Sequence, residues 1–399
     1  MDFIEAVHRD RVYPLMYCHA ELTGGLDIEK LKQAVSASSQ FVPEILWVYD
    51  GYRNRFIDKG FTVKDVVQTT EPASPQWKID KAPQLQITVC QKQHTASVVF
   101  GMSHVLADGT GFLQYLYLLA ALYNGESPNI KNIREIAPVL GRARVGRRTM
   151  QSRHGKACAV QPLRSQSQGN EFFCLCATVS GEDWAALRVK AKSSHATLND
   201  VFMSAYARVI ARRQSIARVT LSCPADLRRF HPIPDAITIA NMTGIYREVI
   251  VDIEPDDPFC RTLSQVNIEM NLQKSRRRCF SGIPMLNWSY PKFPRWLVAQ
   301  AIKKTYHIMP VSYTNIGVID DKKLLFNGCQ ITDCFVTGTY RLPPDFQLSI
   351  STFRDTCKLN CAFVGELFEE KPVQEILDQV RQELLNWTHE ADHRCTDCM

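Results

Sequence analysis

The sequence has no run approaching the 18 or so consecutive apolar residues that carry a helix across a bilayer, so no transmembrane segment is expected. Its opening, Met1-Asp2-Phe3-Ile4-Glu5-Ala6, lacks the basic patch and apolar stretch of a secretory leader, and a cytoplasmic location is expected. No fixed-period repeat is present, which excludes solenoids and propellers. A strong charge of either sign is also missing: 47 Lys and Arg against 41 Asp and Glu leave +6 over 399 residues. Without clustered basicity no nucleic-acid partner is expected, although the balance favours an anionic small molecule. The 14 cysteines are scattered and lack the spacing of a secreted disulfide framework; pairs such as Cys174/Cys176 and Cys357/Cys361 fall on strand-like stretches.

What is present alternates between strand and helix. At 399 residues the chain exceeds what one hydrophobic core supports, so two α/β subdomains are expected. They are read as residues 1–140 and 171–399, joined by a crossover over 141–170. Leu15 to Leu22 reads as a strand, Asp27 caps a helix to about Ser39, and Ile45 to Tyr49 returns as strand. Gln84 to Cys90 and Thr95 to Met102 make a hairpin. From Gly141 to Gly169 there are seven Lys or Arg and no acid, which reads as a solvated crossover, with phosphate binding as the alternative. Strand Phe172 to Val179 and helix Gly181 to Lys192 open the second half. Thr197 and Asp200 then form a capping box for a helix to Ala211, with Leu198, Val201, Phe202, Ala205 and Val209 on its buried face. Helices near Pro258 to Lys274 and Arg295 to Tyr306 follow. Strands recur at Val311 to Ile316, Gln347 to Phe353 and Leu359 to Val364, and Pro372 opens a last helix to about Trp387.

One motif carries chemistry. Ala96, Val98, Phe100 and Met102 share a period-two phase with His104, and an apolar helix runs from Phe112 to Leu122. A histidine at the end of a buried strand, just before the break at Gly109, is held rigidly with one ring nitrogen free, as a general base requires. Asp108 is too near in sequence to be taken as a proton relay, and its expected role is to fix the turn through an ion pair. Gly109 is expected to supply a backbone conformation that strains other residues. The bland reading is a strand-end histidine satisfied inside a core.

His104-xxx-Asp108-Gly109 resembles the signature of the superfamily that holds chloramphenicol acetyltransferase, plant BAHD acyltransferases, the condensation domains of nonribosomal peptide synthetases, wax ester synthases and alcohol acetyltransferases. Four further stretches resemble it in order: Thr197-Leu198-Asn199-Asp200-Val201, Pro224-Ala225-Asp226-Leu227-Arg228-Arg229, Asn241-Met242-Thr243-Gly244 and Ser312-Tyr313-Thr314-Asn315-Ile316-Gly317. The resemblance spans about Tyr13 to Leu385. Ser103 stands where condensation domains carry a first histidine, and Asp333 to Gly338 departs from the BAHD Asp-Phe-Gly-Trp-Gly segment. The alcohol acetyltransferase or wax ester synthase type therefore fits best. The resemblance implies two chloramphenicol acetyltransferase-like subdomains, each a mixed sheet with flanking helices, sharing a central cleft or tunnel. It implies direct transfer of an acyl group from a thioester donor, a coenzyme A thioester, to a hydroxyl or amine, with His104 as general base and no permanently bound cofactor. Arg228 is expected to hold Asp108 by a bidentate pair. Thr314 and Asn315 are the candidate oxyanion donors.

Other readings stay open. A stand-alone condensation enzyme would take its acyl group from an acyl carrier protein, and a noncatalytic member of the fold would only bind. His389-Glu390-Ala391-Asp392-His393 matches a zinc-peptidase motif. Val373, Ile376, Leu377, Val380, Leu384 and Trp387 set the packed stripe of that helix, which turns both histidines outward, and no metal is expected. Gly101-Met102-Ser103-His104 lacks the final glycine of a hydrolase elbow, since Val105 stands there. Trp288, Tyr290, Phe293, Trp296 and Leu297 read as core packing before an apolar channel or a membrane-facing surface.

Overall fold

The computed structural model describes residues 6–7, 12–69, 77–141, 160–254, 256–306 and 309–390. Two mixed sheets organise them. The first runs Cys329–Val336, Leu15–Gly24, Thr95–Ser103, Leu85–Gln91, Val67–Gln68, antiparallel except for the last pair. Its hairpin strand Thr95–Ser103 begins with alternating burial and ends buried on both faces, because Trp77 packs over Gly101 and Val99 shares a cluster with Tyr340, Ala362 and Val364 of the second half. The helices Ile28–Ser38 and Gly109–Tyr123 share a core with this sheet. Asp27 caps the first through Lys30 N–H, as expected. The second is apolar around most of its circumference. Phe112, Leu116 and Leu119 are fully buried, each contributing about 1.5–3 kcal/mol of burial.

The second sheet runs Val12–Tyr13, Tyr340–Arg341, Thr356–Gly365, Phe346–Phe353, Val311–Ile319, with Glu171–Ser180 also pairing to Thr356–Gly365. Helices Gly181–Ser193, Leu198–Gln214 and Glu370–His389 pack in its core. Thr197 and Asp200 form the expected capping box, but the helix is buried on more than one face, with Met203, Tyr206 and Ala207 inside as well. The last helix buries the expected stripe from Val373 to Trp387. The molecule thus has two α/β halves, each a mixed sheet with flanking helices.

Several expectations need correction. Sheet membership does not follow the division at residues 140 and 171: Cys329–Val336 pairs with Leu15–Gly24 in the first sheet, and Val12–Tyr13 pairs with Tyr340–Arg341 in the second. Ile45 lies in a 3-10 turn, Pro43–Leu46, since Pro43 presets its first φ, and the strand is only Val48–Asp50. The antiparallel ribbon Arg218–Asp226 with Thr243–Asp252 was not anticipated. Most of the basic crossover, residues 142–159, lies outside the described residues. Its described end is mostly exposed, as expected, but Arg164 is buried there, 3.4 Å from Glu369, donating to the carbonyls of Val364 and Asp345 and lying 4.3 Å from the Phe363 ring centre. The aromatic stretch is not core, because Trp288, Phe293, Trp296 and Leu297 are exposed.

Candidate active site

His104 follows directly on Thr95–Ser103, and its N–H donates to Pro14 O at 2.7 Å, just past the last register pair of Leu15 with Ser103. Val105, Leu106 and Ala107 are fully buried, so the turn is gripped by packing. Asp108 then caps the helix Gly109–Tyr123, its Oδ1 accepting from Gly111 N–H at 2.9 Å.

The structure brings Asp108 and Arg228 together. Arg228 Nη1 lies 3.0 Å from Oδ2 and Nη2 lies 2.9 Å from Oδ1, a bidentate pair with side chains 3% and 9% exposed. Met242 N–H (2.7 Å) and Thr243 Oγ1 (2.9 Å) also donate to Oδ2. The rest of the guanidinium donates to the carbonyls of Thr238 and Ala240 and to Asp226. Burial by itself would raise the Asp108 carboxyl, but the Arg228 charge and the hydrogen bonds from Arg228, Gly111 and Met242 outweigh it and hold the carboxyl below the usual carboxylate range. Both carboxylate oxygens are engaged away from His104. Asp108 therefore ties the start of its helix, and with it the His104 turn, to the segment 226–243 of the other half.

Gly109 has a role different from the one expected. It is the first residue of the helix, outside the positive-φ glycines, and a Cβ there would meet Ile316 Cδ1 at 2.8 Å. Its smallness leaves room for the Ile316 side chain of the strand Val311–Ile319. Gly111 acts likewise against Ala240 O, at 2.7 Å.

The ring of His104 is held by Asn241, which the sequence reading placed only inside a motif. Asn241 Nδ2 lies 3.1 Å from His104 Nδ1 and 3.3 Å from His104 O, while its Oδ1 accepts from Thr243 N–H at 3.3 Å. A carbonyl can only accept and an N–H only donate, so these two backbone groups orient the amide. Nδ1 is then an acceptor, and a neutral ring carries its proton on Nε2.

His104 lines a cavity of about 610 Å³ walled by both halves of the molecule. Gly109 stands beside it, and Ser222, Ser312, Thr314 and Gln347 come from the opposite half. Thr314 faces this space. Asn315 does not: it lies on the other side of the strand, where its Oδ1 accepts from Gly317 N–H at 2.9 Å, beside a break in register with Phe346–Phe353. Ser312, in phase with Thr314, is buried in the lining, and its Oγ has no hydrogen-bond partner among the described residues. Strand alternation from Thr314 would have found it.

Among the described residues no group of three or more His, Cys, Asp or Glu side chains is placed to hold a metal. His389 is exposed and its Nε2 lies 2.9 Å from Asp183; His393 lies outside the described residues. No helix among them is long and apolar enough to cross a membrane.

No protein-family model matches the sequence, and no curated protein sequence matches it. Solved structures do. Polyketide synthase associated protein 5 from Mycobacterium tuberculosis is similar at a TM-score of 0.69 and 14% identity, over 98% of this chain and 96% of that one. The first condensation domain of the CDA synthetase is similar at 0.66 and 14%, over 97% and 94%. The condensation domain of the Monacolin K polyketide synthase MokA is similar at 0.65 and 11%, over 94% and 92%. Over nearly its whole length the chain therefore has the two-lobed mixed α/β fold of the condensation domains, with a central cavity walled by both lobes.

Proposed function

We propose that the protein is an acyltransferase that moves an acyl group from a thioester, a coenzyme A thioester, to a hydroxyl or amine acceptor, with His104 as the base. The observation that carries this reading is a histidine whose Nδ1 is held by Asn241 and whose ring lines a cavity between the two halves. His104 takes the acceptor proton as the acceptor attacks the thioester carbon; the tetrahedral oxyanion collapses, the C–S bond breaks, and the proton passes to the leaving thiolate. Base catalysis uses the tautomer with Nδ1–H. The arrangement described, with the amide oriented by His104 O and Thr243 N–H, presents Nε2–H to the cavity, so the ring proton moves from Nε2 to Nδ1 and the Asn241 Nδ2 contact loosens before His104 acts as the base. Ser312 and Thr314 are the side chains suited to receive the oxyanion.

Direct transfer is favoured over an acyl-cysteine. Cys279 lines the cavity, but burial pushes its thiol up, away from the reactive thiolate. The likeness to condensation domains supports a second source of donor, an acyl carrier protein thioester, which supplies the same carbonyl.

Thiol release measured with coenzyme A thioesters of several lengths and a panel of alcohols and amines tests the reading. His104→Ala is expected to lower turnover by about 10²–10⁴ with the fold intact. Activity above about a tenth of wild type would sink it, as would a stoichiometric acyl adduct by intact mass after incubation with donor alone. Turnover only with carrier-protein thioesters would replace the donor and keep the chemistry.

A further inference from the structure

From Met270 to Ile319 the chain contains no Asp or Glu, although the overall proportion of 41 in 399 would place about five there. The same stretch carries eight cations: Lys274, Arg276, Arg277, Arg278, Lys292, Arg295, Lys303 and Lys304. It is also where exposed large apolar side chains are most closely spaced among the described residues. Met285 (67% exposed), Trp288 (56%), Phe293 (45%), Trp296 (69%) and Leu297 (43%) fall within 13 residues, and these are the exposed tryptophans of the described chain. The segment is lightly anchored. Helix Arg295–Thr305 buries only Val298 and Ile302, in a small cluster of its own with partly buried Leu286 and Tyr290.

Charge and apolar surface are interleaved. Lys292 Nζ sits 4.1 Å above the Trp288 ring. Arg295 donates to the carbonyl of Arg53, which brings in the loop bearing Tyr52, 91% exposed. Met285, Trp288, Phe293 and Leu297 are at the same time lining residues of the cavity that His104 lines from its other wall. Trp296 is not among the lining residues.

We infer that this outer wall docks on an anionic lipid bilayer, from which an apolar substrate passes into the cavity; only the fate of that substrate rests on the acyl-transfer reading. Tryptophan with lysine or arginine is the pairing that suits a bilayer interface, where the indole occupies the headgroup level and each cation is drawn to anionic lipid. An acidic carrier protein would answer the cations alone. It would leave unexplained four large apolar side chains bared in the wall of a mostly apolar cavity, with Trp296 exposed beside them.

The test is co-sedimentation of the full chain with vesicles of phosphatidylcholine, with and without about 30% phosphatidylserine. The variants are Trp296→Ser and the double variant Lys292→Glu/Lys304→Glu, all at exposed positions, with melting temperature as the folding control. Binding is expected to be at least about tenfold tighter to the anionic vesicles, and each variant is expected to weaken it at least about tenfold. His104→Ala is expected to bind as wild type does, and wild-type protein that binds vesicles yet transfers no acyl group would overturn the enzymatic reading and leave the surface standing. Absence of binding to either vesicle, or binding unchanged in both variants, overturns the inference. So does capture of a phosphopantetheinylated acyl carrier protein that both variants abolish while vesicles are ignored, which would assign the surface to a protein.

Discussion

Asp108 uses both carboxylate oxygens on Arg228, Gly111, Met242 and Thr243, so its contribution to His104 is made through the backbone it immobilises. Removing either member of the buried pair leaves the other unpaired, at an expected cost of about 3–5 kcal/mol. The double variant Asp108→Asn/Arg228→Met should lose much less than the sum of the two, measured by denaturant unfolding. Strict additivity would mean that the pair does not couple. Asn241 acts on a different property of the same ring, its orientation in the cavity. Asn241→Ala is expected to lower kcat by about 10–100-fold with KM and melting temperature little changed, a loss on the scale of one oriented catalytic hydrogen bond. A KM effect alone would place Asn241 in binding rather than in orienting the ring.

The strand Leu15–Gly24 carries a titrating element of its own. His19 stacks on Phe335 of Cys329–Val336, ring centres 4.7 Å apart and planes at 7°. The residue is only partly buried, yet its Nε2 is sealed and without a hydrogen-bond partner among the described residues. Burial lowers its pKa to about 4. Because the folded state resists the proton that the unfolded chain takes up near 6.5, stability is full above that pH. It should fall by about 3 kcal/mol as pH drops from 6.5 to 4. His19→Phe should flatten that part of the profile in a thermal melt, and an unchanged slope would mean that His19 is not its source. Legibility in the sequence divides along similar lines. Helices announced by local chemistry, such as Asp27 with Lys30 N–H or Thr197 with Asp200, could be read because cap and first turn are adjacent. The Asp108–Arg228 pair could be reasoned out because a carboxylate beside a working histidine needs a cation. Cys329–Val336 could not, since its partner strand lies some 300 residues away, and the ribbon strand Arg218–Asp226 is masked by Pro224 near its end. Asn241 gave no local signal for the ring it holds, and Asn315 was misplaced because the two faces of its strand were not separated.

At the scale of the whole molecule, the exchanged strands predict that the two halves are not separable. A fragment ending at residue 170 lacks the edge strand Cys329–Val336, so Leu15–Gly24 becomes an open edge with apolar residues beside it. It is expected to aggregate or to unfold without a cooperative transition, whereas the intact chain should show a single one by calorimetry. A soluble, cooperatively melting fragment would show that the exchange is dispensable. The same exchange sets a timetable during synthesis. Leu15–Gly24 emerges early, but its neighbour on that side is not translated until residue 336, roughly 15–60 s later at usual elongation speeds. For that interval the nascent chain carries an unmatched β edge, which makes it a natural client for ribosome-associated chaperones and makes slow translation of its second half a hazard to yield.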